Sequence, residues 1–344
     1  MRLAYVLAKQ CLPKYSSRFS RKDFTLPQLF ACLVVKEFLG RSYRGAEELL
    51  RGSTEMLNAI GLRHAPDHNT LCRAAKRLLR NRSVNCLLDL QAQWAAQARV
   101  LQLATHPLAV DSTSFESHHV SRHYERRCHE TRKRMRAKDR KNGRSRTRSQ
   151  TVRRLPKLAI AVDSGSHFVL AAWTGTGAGA DHPHYRQVVS DSRRRVRNKR
   201  YRVVADAGYD SEAAHVWTRM EMRLQSLIPP EHGRPRKDGG PPGGRWRRRM
   251  KQVLASAESR KRSGYTQRWQ VETVNSMIKR NLSSALRGKT AWSRKRDMML
   301  KVLVHNLMLL RRRGLRQSNH VLLCLNPFFY STIYCAFLLG IVHH

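Results

Sequence analysis

Acidic residues are what this sequence has least of for its size. Its 344 residues hold 24 Asp and Glu against 67 Lys and Arg, a formal net charge of +43. An excess that large repels itself and calls for a polyanionic partner. Nucleic acid is the first candidate, because each neutralised phosphate releases counterions, and an anionic membrane surface is the second. Cysteine is sparse as well: seven residues, at 11, 32, 72, 86, 128, 324 and 335, none at CxxC spacing. That argues against a disulfide framework and a zinc knuckle, and for reduced thiols in a cytoplasmic protein. The apolar run in Met1–Gln10 is too short for a signal peptide. The glycine-rich stretch Thr174–Ala180 lacks a following Gly-Lys-Ser/Thr, so it reads as a flexible connector and not a phosphate loop. With 41% hydrophobic residues the chain can still bury one large core or two domains.

The first hundred residues read as helical. Leu26–Leu39 is an apolar-rich helix stopped by Gly40, and Ser42 caps a second helix, Tyr43–Arg51. The breakers of Ala65–Thr70 precede a basic helix, Leu71–Leu79, carrying Arg73, Lys76 and Arg77, with Arg80 just beyond it. Those three cations fit either a helix-turn-helix laid into a major groove or the wet face of a helical bundle. Val84–Val100 is the last helix of this part.

At Pro107 the pattern turns to strands. Leu108–Thr113 carries Asp111 near its end; Leu158–Asp163 and His167–Trp173 form a hairpin in which Asp163 is a turn residue. Tyr201–Asp206 ends on a second aspartate, followed by Gly208, with Asp210 expected to cap a helix running to about Leu224 and Glu212 in its first turn. A short strand, Gln225–Ile228, follows. Two segments read as mobile basic loops, 122–157 with 16 Lys and Arg against three acids, and 231–262. The group His118, His119, His123, Cys128 and His129 lacks a second ligand pair at a standard spacing, which argues against zinc.

Tyr265–Lys279 is the most informative stretch. At helical spacing Tyr265, Arg268, Glu272, Asn275 and Lys279 share one polar face, while Val271, Val274 and Ile278 form an apolar stripe. A final amphipathic helix, Trp292–Arg312, holds His305 in its core-facing stripe. Beyond Arg313 the composition shifts, and Val321–Val342 is hydrophobic though interrupted by Asn326 and Pro327. In so basic a chain that tail reads as appended or out of frame, and no membrane partner is expected.

The element order lets the first and fourth strands be neighbours, which sets Asp111 and Asp206 side by side. A helix across their ends brings Glu272 near. Three converging carboxylates repel one another unless divalent cations lie between them, and oxygen ligands suit Mg²⁺ or Mn²⁺. Two such ions support in-line phosphoryl transfer.

The motifs Val110-Asp111-Ser-Thr, Ala205-Asp206-Ala-Gly-Tyr and Tyr265-x2-Arg268-x3-Glu272-x6-Lys279 resemble those of the DDE transposases of bacterial insertion sequences. The resemblance extends to about Arg313. It implies an α/β, ribonuclease H-like mixed sheet flanked by helices (105–313), an all-α DNA-binding domain before it (1–104), and an atypical tail (314–344). It also implies a catalytic, metal-binding triad of Asp111, Asp206 and Glu272 with Mg²⁺ or Mn²⁺, two per site, and DNA-positioning roles for Tyr265, Arg268 and Lys279. The partners implied are the element's terminal inverted repeats, target DNA and further copies of the chain in a homodimer or larger synaptic complex at the nucleoid. A catalytically inactive DNA-binding relic and a structure-selective nuclease remain the alternatives.

Overall fold

The computed structural model describes residues 1–117, 130, 134, 155–176, 182–196, 201–230 and 243–317. Most of the expected basic loop 122–157, the group His118, His119, His123, Cys128 and His129, and nearly all of the 314–344 tail lie outside those residues; the last two residues of that loop, Pro156 and Lys157, instead begin a strand. Among the described residues, no helix is long and apolar enough to cross a membrane.

The N-terminal part is helical, as its periodicity predicts: α1 (Arg2–Cys11), α2 (Leu26–Phe38), α3 (Tyr43–Arg51), α4 (Thr54–Asn58), α5 (His68–Leu78) and α6 (Asn81–Gln97). Thr25 and Gln28 form a reciprocal capping box at the start of α2, with Pro27 inside its first turn. Ser42 caps α3 by accepting from Gly45 N.

Five strands make the central sheet: β1 (Leu108–Ser114), β3 (Pro156–Asp163), β4 (Phe168–Thr176), β5 (Arg202–Ala205) and β6 (Gln225–Leu227), in the order β4-β3-β1-β5-β6, while β2 (Glu116–Ser117) pairs with β7 (Ala285–Leu286) in a separate two-stranded sheet. β3 runs antiparallel to both its neighbours, while β5 is parallel to β1 and to β6. This is the mixed, ribonuclease H-like order that the resemblance implies. Every residue of β3 is buried, which accounts for its unbroken apolar run. Asp163 closes the β3–β4 turn, accepting from Gly165 N (3.1 Å) and Ser166 Oγ (2.9 Å).

A helix that the sequence reading lacks, α7 (His182–Arg195), packs on β3 and β4. Its arginine-rich end hides the apolar pattern, but Arg195 ties the helices to the sheet, donating to Asp89 Oδ1 (2.7 Å), Asn85 Oδ1 (2.8 Å) and Leu170 O (2.8 Å). α12 (Ala291–Gln317) packs between α2, α6 and β4. On it Asn306, fully buried, accepts from Val169 N and donates to Val169 O and to Gln91 Oε1 of α6. His305 is a satisfied core residue, its Nε2 donating to His167 O.

Two readings around β5 and the second basic segment are corrected. Ser211, and not Asp210, caps α8 (Glu212–Val216), which runs into a π turn, Trp217–Glu221. The stretch read as a mobile loop contains two helices, α9 (Arg245–Val253) and α10 (Ala257–Ser263). The reason lies in the two acids freed from capping α8. Glu212 accepts from Trp246 N (3.0 Å) and Arg247 N (3.1 Å), satisfying the first turn of α9 from another element. Asp210, its side chain fully buried, pairs with Arg247 at 2.6 Å. Gly244, at φ 93°, admits the Glu212 carboxylate where a Cβ would strike it. Losing this cap by Glu212→Ala is expected to cost about 1 kcal/mol locally. Trypsin should then cut faster between Arg245 and Arg249, with the global unfolding midpoint little changed; an unaltered digestion pattern would refute the anchoring role.

Candidate active site

The register of two strands builds the site. Val110 of β1 pairs with Ala205 of β5, so the next residues, Asp111 in the middle of β1 and Asp206 just past the end of β5, lie side by side on adjacent parallel strands, although β1 runs on to Ser114 rather than ending near the aspartate. Asp206 thus lies where open α/β sheets present their reactive groups. Asp206 also accepts from Gly208 N (3.0 Å), which shapes the short 3-10 turn Ala207–Tyr209 below it.

The third element is a 3-10 turn, Tyr265–Arg268, leading into α11 (Trp269–Leu282). The α-helix therefore begins four residues later than the periodicity predicts. Gly264 is the cause: it ends α10 in the left-handed conformation, φ 78°, and the chain tightens before it winds regularly. Val271, Val274 and Ile278 are buried as the apolar stripe requires, and α11 packs across β1 and β3. Its polar face thus meets Asp111.

Asn275 Nδ2 donates to Asp111 Oδ2 at 3.2 Å, and Lys279 Nζ to Thr113 Oγ1 at 2.6 Å. The Lys279 ammonium also sits 5.5 Å above the Phe115 ring. Glu272 faces the same side, half exposed, with its Oε1 2.7 Å from Arg268 Nη2. The Tyr265 phenol is pushed up by burial, opposed by the nearby Arg268 and reinforced by Asp206. Burial pushes the Asp111 carboxyl up to about 6; the Ser112 backbone N–H opposes this, and the charges of Asp206 and Glu272 add to it.

Among the described residues, no three His, Cys, Asp or Glu side chains stand close enough to hold one metal. Asp111 and Asp206 form the pair, and Glu272 is engaged by Arg268. The donor set nevertheless fits a hard divalent cation. Its ligands would all be oxygens, the charges of Asp206 and Glu272 bear on Asp111 with Arg268 opposing them, and among the described residues the buried Asn275 Oδ1 beside it has no hydrogen-bond partner. Asp111, Asp206 and Glu272 are the residues that would hold such an ion.

The family described as "Transposase DDE domain" matches residues 105–307, more than half of the chain. The chain belongs to that family. No curated protein matches it. Among solved structures it is similar to the piggyBac transposase synaptic complex with hairpin DNA, determined by cryo-EM, at 11% identity and a TM-score of 0.41. That likeness covers 90% of this chain and 71% of the other.

As a transposase DDE domain protein, the chain keeps its expected site residues on two separate surfaces. Asp111, Asp206, Tyr265, Arg268, Glu272 and Lys279 lie along β1, the end of β5, the Tyr265–Arg268 turn and α11. Arg73, Lys76 and Arg77 lie on the exposed side of α5, whose buried side packs on α2, α3 and α12. Thr113 was given no site role from the sequence, and Asn275 was placed on the polar face without one. The signal for Asn275 was present, since it falls within the buried run Val271, Val274, Ile278 and Leu282, where an amide is out of place.

The raised Asp111 pKa has a pH consequence. An unfolded aspartate ionises near 3.8 and this folded one near about 6. Between those values the folded state holds a proton the unfolded chain has lost, so cation-free stability falls as pH rises through that window. A cation that neutralised the site would reverse the loss. Mn²⁺ is therefore expected to raise the thermal midpoint at about pH 8 but not at about pH 4.5, where Asp111 is protonated. An equal rise at both would mean that the ion acts elsewhere.

Proposed function

We propose that this chain cleaves and joins DNA strands at the ends of an insertion sequence, using Asp111, Asp206 and Glu272 with divalent cations. The observation that carries the reading is the Val110–Ala205 register, with Asn275 and Lys279 bonding from the Glu272 helix onto β1. Mg²⁺ or Mn²⁺, two per site, would supply Lewis acidity toward the scissile phosphate and a lowered pKa for the attacking water or 3′-hydroxyl. The chain's own residues bind and orient. Lys279, fixed over Phe115 and bonded to Thr113, offers a positive charge one helical turn beyond Asn275, suited to a phosphate of the backbone. Tyr265 and Arg268 lie at the other end of the same face, so a strand between them would cross the paired aspartates. Arg73, Lys76 and Arg77 give α5 a cationic face for the flanking duplex, whether as a groove-reading helix or as a phosphate contact.

The terminal inverted repeats, the target DNA and a paired assembly of chains belong to this same proposal. The test is a cleavage assay on the DNA flanking its own gene, with Mg²⁺ or Mn²⁺ and Asp206→Ala as control. Metal-dependent nicking at one defined end, lost in the variant, is the expected result. The Arg268–Glu272 ion pair favours a second reading, an inactive DNA-binding relic. That reading predicts salt-sensitive binding with no nicking, even after residues 314–344 are removed. Cleavage of junctions without regard to terminal sequence, and without joining, would instead indicate a structure-selective nuclease.

A further inference from the structure

The buried face of α11 contains one residue that does not belong in a core. Val271, Val274, Ile278 and Leu282 are at most 2% exposed, and Asn275 sits among them at 6%. A leucine would fill that position without polar atoms. The amide satisfies only half of itself: Nδ2 reaches Asp111 Oδ2, while Oδ1 is buried without a hydrogen-bond partner among the described residues. Leaving a buried acceptor unmade is costly, and native proteins keep such groups where a site needs them. The amide's orientation is set by its neighbour, since the flipped rotamer would turn oxygen against a carboxylate oxygen.

We propose that Asn275 is a positioning residue for the metal centre, holding the Asp111 carboxylate through Oδ2 so that its other oxygen is presented to a divalent cation. This inference rests on the cation-dependent reading of the site above. The chemistry suits the task better than a charged partner would. An Arg or Lys at 275 would neutralise Asp111 and compete with the cation for it. A neutral amide fixes the carboxylate's rotamer and leaves its charge available. Outer contacts of this kind tune how tightly a carboxylate ligand holds its metal. Asn275 is also three residues from Glu272 on the same helix, so the one helix both contributes an expected ligand and orients another.

The test is Mn²⁺ affinity, measured by titration calorimetry on the full chain, in a double-mutant cycle with Asp111→Asn. Asn275→Leu is expected to weaken Mn²⁺ binding about 10- to 100-fold. The cation-free thermal midpoint should hold or rise, because the leucine removes an unsatisfied polar atom from the core. In the Asp111→Asn background the same change should alter affinity less than about twofold, since the carboxylate it orients is gone. Should the leucine variant fail to fold, Asn275→Ala carries the same expectation through the same lost amide. A lowered cation-free midpoint with unchanged Mn²⁺ affinity would overturn the proposal and make Asn275 a packing residue. If Asp111→Asn itself leaves Mn²⁺ binding intact, the metal centre and this inference fall together, which separates the two failures.

Discussion

Glu272→Ala is expected to abolish strand cleavage while DNA binding and stability persist. Glu272 is the ligand candidate whose loss troubles the fold least. Its carboxylate is half exposed, and its pair with Arg268 spans one helical turn at the surface, an interaction worth less than about 1 kcal/mol. Any collapse of activity therefore cannot be attributed to unfolding. Asp206→Asn is the companion variant. It keeps an oxygen to accept from Gly208 N, and so the turn beneath the site, but removes the charge that a cation needs. Both variants should bind flanking DNA with the salt dependence of the parent, because the basic residues on α5 and around Lys279 are untouched. Cleavage by Glu272→Ala near the parent rate would show that the third ligand has been misassigned. Loss in Asp206→Asn alone would then point to a site built on Asp206 and the neighbouring Asp111.

The largest effect on stability is expected from Glu37. This residue of α2 is buried between Lys301 Nζ at 2.7 Å and Lys36 Nζ at 3.1 Å, and Lys301 also donates to Leu282 O at the end of α11. Burial alone would raise the Glu37 pKa; the two ammonium groups outweigh that and hold it below the usual carboxylate range. Both lysines are only 3% exposed. Glu37→Leu would leave two adjacent buried positive charges, with Asp297 as the remaining nearby acid. Uncompensated charge of this kind costs about 3–5 kcal/mol. Chemical denaturation should register that loss, and Glu37→Leu with Lys301→Met should recover part of it. A loss under about 1 kcal/mol would mean that water reaches the lysines. Because the cluster joins α2 to α12 and to the end of α11, the variant is also expected to weaken the seat of the helix that carries Glu272.

Much of this molecule was legible from local pattern. The helices α2, α3, α5 and α6, all five strands of the sheet, and the polar face of α11 follow from periodicity and capping, which depend on near neighbours in the chain. The Tyr265–Lys279 spacing and the two strand-end aspartates pointed to the family that the match over 105–307 establishes. Long-range pairings were not legible. α7 escaped because its basic end obscured the apolar face that Tyr185, Val188 and Val189 bury. The basic stretch after Gly244 read as loop because Glu212 and Asp210, more than thirty residues earlier, supply its cap and counter-charge.

The sequence by itself determined which groups the chain possesses: a large cationic excess, two aspartates ending β-branched runs, and a helix with one carboxylate on a basic face. Only the tertiary structure decided how they meet. Strand register put Asp111 beside Asp206, helix packing turned Asn275 onto Asp111 and Lys279 onto Thr113, and Arg268 engaged Glu272. Composition and spacing act over a few residues, whereas a site assembled from three elements depends on which surfaces the core brings together.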